Sequence, residues 1–195
     1  MLDAQYWNDR HKDSDTPWNL RTISPPLKAY MDQLEDKQVR ILIPGAGHAH
    51  EARYLVSLGF EDVTICDISE VAIGHIRSEL SSISCIHYIC GDFFTLEGEY
   101  DVILEQTFFC ALDPLLRESY AQKMAALLSP KGTLAGLLFG VEFPFAGPPF
   151  GGQMDEYKIL FSKYLYIHEM SMCYNSIAPR SGNEIFFICK KKVVG

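Results

Sequence analysis

The stretch VRILIPGAGHAHEARYLVSLG, Val39 to Gly59, decides the fold. Val39 to Ile43 is a short run of aliphatic residues with the composition of a buried strand. It halts at Pro44-Gly45-Ala46-Gly47, a turn signal. Beyond it Ala49, Ala52, Leu55 and Val56 recur at helical spacing, and Gly59 stands where a helix ends through a left-handed residue. Strand, glycine turn and helix in this order form the first unit of an α/β sheet.

The pattern repeats on the C-terminal side. Val63 to Cys66 reads as a strand that runs into Asp67-Ile68-Ser69, with Ser69 placed to cap a helix from Glu70 to about Leu80. Ile86 to Cys90 is a third strand ending at Gly91-Asp92, and Tyr100 to Glu105 a fourth. The helix Pro114 to Leu128, capped by Asp113, leads to a fifth strand, Gly132 to Phe139. Strands joined by helices of this length run parallel and are covered on both faces. After the helical stretch Met154 to Phe161, the runs Tyr164 to Tyr174 and Glu184 to Lys191 have no helix between them, which predicts a closing antiparallel pair. The expectation is therefore a Rossmann-like, mostly parallel seven-stranded sheet with helices on both faces. Residues 1–35 precede the sheet. Gly140 to Gly152, rich in Gly, Pro and Phe, is irregular.

The 195 residues are enough for one ordinary domain and too few for two of full size. At 48% hydrophobic and 22% charged residues the chain is neither disordered nor a coiled coil. A formal charge of −8 without a basic stripe disfavours a nucleic acid or an anionic membrane surface as partner. Six irregularly spaced cysteines without a CxxC pair read as buried thiols of a reducing compartment. No basic head followed by an apolar stretch opens the chain, so the expected location is the cytoplasm.

In open α/β sheets, ligands bind beyond the carboxyl ends of the strands, so the residues just after each strand belong together. Gly45 and Gly47 let backbone N–H groups approach a ligand at a helix N-terminus. Asp67 ends strand two, where a carboxylate accepts from both ribose hydroxyls. Asp92 can accept from an adenine amino group, and Phe93 can wall its ring. Together they describe an adenosine-type site. A dinucleotide fits less well, because His50 replaces the third glycine of GxGxxG and Glu51 would repel a pyrophosphate. S-adenosylmethionine, a nucleoside without phosphates, fits better.

The chain resembles the thiopurine S-methyltransferase superfamily, and within it the thiol and halide methyltransferase branch with its bacterial relatives. The resemblance runs nearly end to end: Tyr6-Trp7, Thr16-Pro17-Trp18, Ile43 to Gly47, Gly91 to Phe94, Phe108 to Leu112, Gly147-Pro148-Pro149-Phe150 and Pro179 to Gly182. It implies a class I S-adenosylmethionine-dependent methyltransferase that releases S-adenosylhomocysteine and whose N-terminal segment closes over the cofactor through Trp7 and Trp18. It also implies that Glu105-Gln106 contacts the methionine portion and that Arg180 serves the acceptor side. Two departures stand out. His11 replaces an aromatic residue, and Glu105-Gln106 replaces the Asp-Arg of the thiopurine enzymes, which removes an arginine contact and puts thiopurine in doubt as substrate. The retained acid keeps a hydrogen bond to the cofactor's ammonium open.

The alternatives are plainer. Trp7 and Trp18 could simply anchor the N-terminus. His48 and His50 read as turn histidines, since nothing completes a metal set. Cys110 reads as a buried thiol. The Phe-rich segment, with Phe139 and Phe150 at its ends, reads either as a plug or as the roof of an acceptor pocket. The expected acceptor is a small soft nucleophile (thiol, thiopurine-like compound or halide/thiocyanate), and the expected state is a monomer or weak homodimer. A cofactor-binding protein without transferase activity and a small oxidoreductase remain the competing functions.

Overall fold

The computed structural model describes residues 2–192. Seven strands form one sheet: β1 (Ile41–Pro44), β2 (Val63–Asp67), β3 (Ile86–Cys90), β4 (Tyr100–Gln106), β5 (Leu128–Phe139), β6 (Leu165–Met172) and β7 (Glu184–Lys191). Their spatial order is β3-β2-β1-β4-β5-β7-β6. The first five pair parallel, and β7 lies antiparallel between β5 and β6. The sequence expectation of a mostly parallel sheet closed by an antiparallel pair holds.

Alternation along the strands builds two cores. Ile41, Ile43 and Ile65 face one side, where Leu27 and Met31 of α2 (Pro25–Met31), Leu55 of α3 (His50–Ser57) and Ile76 of α4 (Glu70–Glu79) cover them. Leu42, Cys66 and Ile103 face the other, under Tyr120 and Met124 of α5 (Arg117–Leu127) and Phe161 of α6 (Met154–Tyr164). Successive strand side chains point to opposite faces, so a central strand needs apolar residues at every position. Ile41 to Pro44 is buried throughout.

Three local differences from the sequence expectation have physical reasons. Residues 1–35 contain α1 (Ala4–Lys12) as well as α2. Helix α1 is polar on most faces and buries only Asn8 and His11, so it carries no apolar stripe to read. The helix before β5 starts at Arg117, because Asp113 first caps a separate 3-10 turn, Pro114–Leu116. Of the six cysteines, all unpaired, Cys90 is exposed and Cys85 half-buried, since both flank β3 at the sheet edge. Among the described residues no helix is long and apolar enough to cross a membrane.

Candidate functional site

The strand order reverses between β1 and β4, so the turns that follow them diverge and open a crevice at the carboxyl end of the sheet. The turn after β1 passes through the left-handed region at Gly45 (φ 60°), Gly47 (φ 51°) and Ala49 (φ 51°). A Cβ on Gly45 would lie 2.4 Å from the Phe108 ring, whereas one on Gly47 would meet nothing nearer than Trp18 Nε1 at 3.7 Å. Gly45 thus lets the turn sit against Phe108, and Gly47 keeps the space below Trp18 open. Asp67 fixes the turn: Oδ2 accepts from Gly47 N–H at 2.9 Å and Oδ1 from Ser69 N–H at 2.8 Å. Burial raises the Asp67 carboxyl above its ordinary value and these backbone donors oppose the rise. Ile68 N–H is a third backbone donor to this carboxylate, which leaves acceptor capacity for a ribose hydroxyl.

The N-terminal segment lies over this turn. Asp3 caps α1 by accepting from Tyr6 N–H, and Asn8 Oδ1 accepts from Ser69 Oγ at 2.8 Å and Val71 N–H at 3.3 Å, docking α1 on the start of α4. Trp7 and Trp18 meet edge to face with centroids 5.5 Å apart, and the Arg10 guanidinium sits 5.0 Å from the Trp18 ring. His11 bridges Trp18 and His48, at 5.9 Å and 5.5 Å between centroids; His48 stacks on His50, whose Nε2 pairs with Asn19 Oδ1 at 2.8 Å. Burial, followed by the charges of His48 and His75, pushes His11 down to about 4. His48 and His50 are also lowered, chiefly by burial. Among the described residues no group of His, Cys, Asp or Glu is arranged to hold a metal ion. Asn8, Arg10 and Asn19 escaped the sequence reading. The one available signal for Asn8 is its place one helical turn before His11 on the buried face of α1.

Two of the expected site residues lie in the core. Glu105 is fully buried, with Oε1 accepting from Phe108 N–H (2.8 Å) and Phe109 N–H (3.0 Å) and Oε2 from the Tyr120 hydroxyl (2.6 Å). Its carboxylate points into the core and holds the turn after β4, with Thr107 left-handed at φ 58°. Burial pushes this carboxyl up to about 7 against those hydrogen bonds. Phe93 is only 4% exposed, and its ring packs on Phe108 and Tyr120 inside the core. Asp92 stays exposed, with Oδ1 accepting from Phe94 N–H at 2.9 Å.

Gln106 does face the crevice. Both its amide atoms are buried and have no hydrogen-bond partner among the described residues, and the residue lines a cavity with Trp18, Gly45, Gly47, His48 and Glu51. A buried amide left without partners costs about 1–3 kcal/mol per group, which a bound polar ligand would relieve. The methionine end of S-adenosylmethionine has the donors and acceptors to do so, and the glycine turn and Asp67 suit its nucleoside. The residues present fit the group. The cavity is small, about 40 Å³, and Trp18, Asn19, Leu20 and Thr22 of the N-terminal segment form one of its walls. A larger groove of about 380 Å³ between α6 and β6 lies at the far edge of the sheet, away from the switch point.

Arg180 also reaches this end of the molecule. Its guanidinium donates to Trp18 O (3.0 Å) and Glu184 Oε1 (3.2 Å) and sits 5.5 Å from the Phe139 ring. Phe139 and Phe143 meet at 5.1 Å, and Phe150 N–H donates to Cys110 O at 2.7 Å, seating the 140–152 loop beside the turn after β4.

A doubly wound seven-stranded sheet with a glycine turn at its switch point and a closing antiparallel pair is the fold of class I methyltransferases. The thiopurine S-methyltransferase family model matches residues 2–192, and the chain belongs to that family. It is accordingly an S-adenosylmethionine-dependent methyltransferase. The chain is 31% identical over 186 residues to probable thiol methyltransferase 2 of Arabidopsis thaliana, covering 91% of this chain and 81% of that protein. Thiocyanate methyltransferase 1 of Brassica oleracea is 28% identical over 194 residues, with the same coverage. In fold the chain is similar to 1,6-didemethyltoxoflavin-N1-methyltransferase of Burkholderia thailandensis, solved with S-adenosylhomocysteine. The TM-score is 0.79 at 16% identity, over 97% of this chain and 87% of that one.

Proposed function

We propose that this methyltransferase acts on a small soft nucleophile, a thiol or a halide-like anion, at the mouth of the crevice between Arg180, Phe139 and Phe150. S-adenosylmethionine brings the methyl group, activated on its sulfonium. The unpartnered Gln106 amide beneath Trp18 carries the reading, because a polar ligand at the switch point is what satisfies it. Asp67 receives the ribose, Asp92 the adenine amino group, and Gln106 the methionine portion. Trp7, His11 and Trp18 close over them and exclude water. A soft anion in a dry site needs alignment more than proton transfer; Arg180, ion-paired with Glu184, presents the remaining guanidinium face to it while the aromatic rings strip its water.

The thiol and thiocyanate methyltransferases among the relatives support this choice of acceptor. Gln106 in place of an arginine argues against a thiopurine. A net charge of −8 and unpaired cysteines favour a cytoplasmic monomer or weak dimer that binds neither nucleic acid nor membrane. The test is turnover with a panel of thiols, iodide, thiocyanate and a thiopurine. Methylated thiol or methyl iodide, together with S-adenosylhomocysteine, is expected. Binding of S-adenosylhomocysteine without any methylated product would replace this reading by that of a cofactor-binding protein.

A further inference from the structure

Glu51 stands in the wall of the crevice with no role so far. It is the second residue of α3 and is 7% exposed; its carboxylate accepts its own backbone N–H and, among the described residues, no hydrogen bond from another side chain. It lines the same cavity as Gln106 and Trp18. The charged groups acting on it are Arg180 and Arg53, and neither comes within ion-pair distance. Arg180 is already engaged by Glu184 at 3.2 Å, and Arg53 by Glu79 and the His48 carbonyl. His48 and His50 are the other titratable groups in the wall, and His50 is held by Asn19. An acid inside a ligand cavity that neither pairs with a cation nor caps a turn is free to exchange a proton with what enters.

We propose that Glu51 is the proton acceptor for thiol substrates, which makes the site competent for neutral thiols as well as for preformed anions. This rests on the acceptor class inferred above. The thiol S–H bond breaks and its proton passes to a Glu51 carboxylate oxygen, while the sulfur lone pair forms the new bond to the methyl carbon. The bond from that carbon to the sulfonium breaks, and its electrons remain on the sulfur of the released S-adenosylhomocysteine. Protonated Glu51 then returns the proton to water. A thiol of pKa about 8.5 is mostly protonated at neutral pH, so a positioned base matters for it and not for iodide, which has no proton to lose. Burial pushes the Glu51 carboxyl up to about 7, where it can both take and release a proton near neutrality.

The test is Glu51→Gln, checked first for unchanged melting and S-adenosylhomocysteine binding. The ratio of alkyl-thiol to iodide turnover is expected to fall about 100-fold, the usual scale of a lost general base. If Glu51 acted only as a charge opposing Arg180, its removal would raise thiolate and iodide turnover together. That result, or a thiol-to-iodide ratio unchanged by the substitution, overturns the proposal. Should the variant not fold, the wild-type pH profile decides: thiol turnover must show an ascending limb well below the thiol's own pKa that iodide turnover lacks, and superimposable profiles overturn it. Wild-type protein that methylates neither acceptor would remove the underlying acceptor assignment itself.

Discussion

Replacing Gly45 and Gly47 separately by alanine should separate what the glycine turn does for stability from what it does for binding. At Gly45 the new Cβ would meet Cδ2, Cγ and Cβ of Phe108 at 2.4, 2.7 and 2.8 Å, where carbon atoms prefer about 3.5–4.0 Å. Phe108 cannot swing aside freely, because Glu105 Oε1 holds its N–H at 2.8 Å and its ring packs 5.1 Å from Phe93. A left-handed alanine costs about 1–2 kcal/mol and the overpacking about 1–3 kcal/mol, so Gly45→Ala should lose about 3–4 kcal/mol. For a chain of this size that lowers Tm by about 10 °C. At Gly47 only the left-handed cost of about 1–2 kcal/mol applies, or about 4 °C, since the nearest atom is Trp18 Nε1 at 3.7 Å. That methyl would project into the cavity, however, and should weaken S-adenosylhomocysteine binding about tenfold or more. Thermal melts followed by circular dichroism, with calorimetric titration of the nucleoside, measure both effects. Gly45→Ala melting no lower than Gly47→Ala would refute the steric argument, and full affinity in Gly47→Ala would refute the placement of the ligand.

Two further outcomes concern the cover. Asn8→Ala removes the acceptor of Ser69 Oγ and Val71 N–H, about 1–2 kcal/mol held between α1 and α4. Hydrogen exchange of Ala4–Lys12 should then quicken about tenfold while global Tm moves little; unchanged exchange would show that α1 docks by other means. His11 supplies a pH dependence. Its folded value of about 4 lies below its ordinary 6.5, so the unfolded chain binds the extra proton. The associated stability is therefore complete above about pH 6.5 and disappears as pH falls toward 4, on the order of 3 kcal/mol in all. Urea unfolding across that window should show a slope with pH that His11→Phe flattens, and an equal slope in both would place the titration elsewhere.

The sheet was legible because its strands are continuous apolar runs and the glycine turn marks the switch point; Ile86–Cys90 and Glu184–Lys191 agree with their sequence limits residue for residue. What sequence could not reach was side-chain direction. Glu105 and Gln106 are neighbours after the same strand, and the pleat sends one into the core and the other to the crevice, so the acid expected at the ligand became the support of the turn. Phe93 went inward for a related reason: Asp92 caps a 3-10 turn that rotates the ring onto Phe108. Helix α1 was invisible because polar contacts such as Asn8 with Ser69 dock it, and these leave no periodic trace. Arg180 could be placed near the site by resemblance, but its bond to the Trp18 carbonyl, which joins the two ends of the chain, is long-range information.

Both tryptophans of the chain, Trp7 and Trp18, lie in the segment over the glycine turn, so intrinsic tryptophan emission reports on that cover alone. Titration with S-adenosylhomocysteine should change this emission saturably with one equivalent bound, and Asp67→Ala should shift the midpoint to higher concentration. Calorimetric binding with unchanged tryptophan emission, or no binding at millimolar nucleoside, would contradict a cofactor site between the glycine turn and its tryptophan cover.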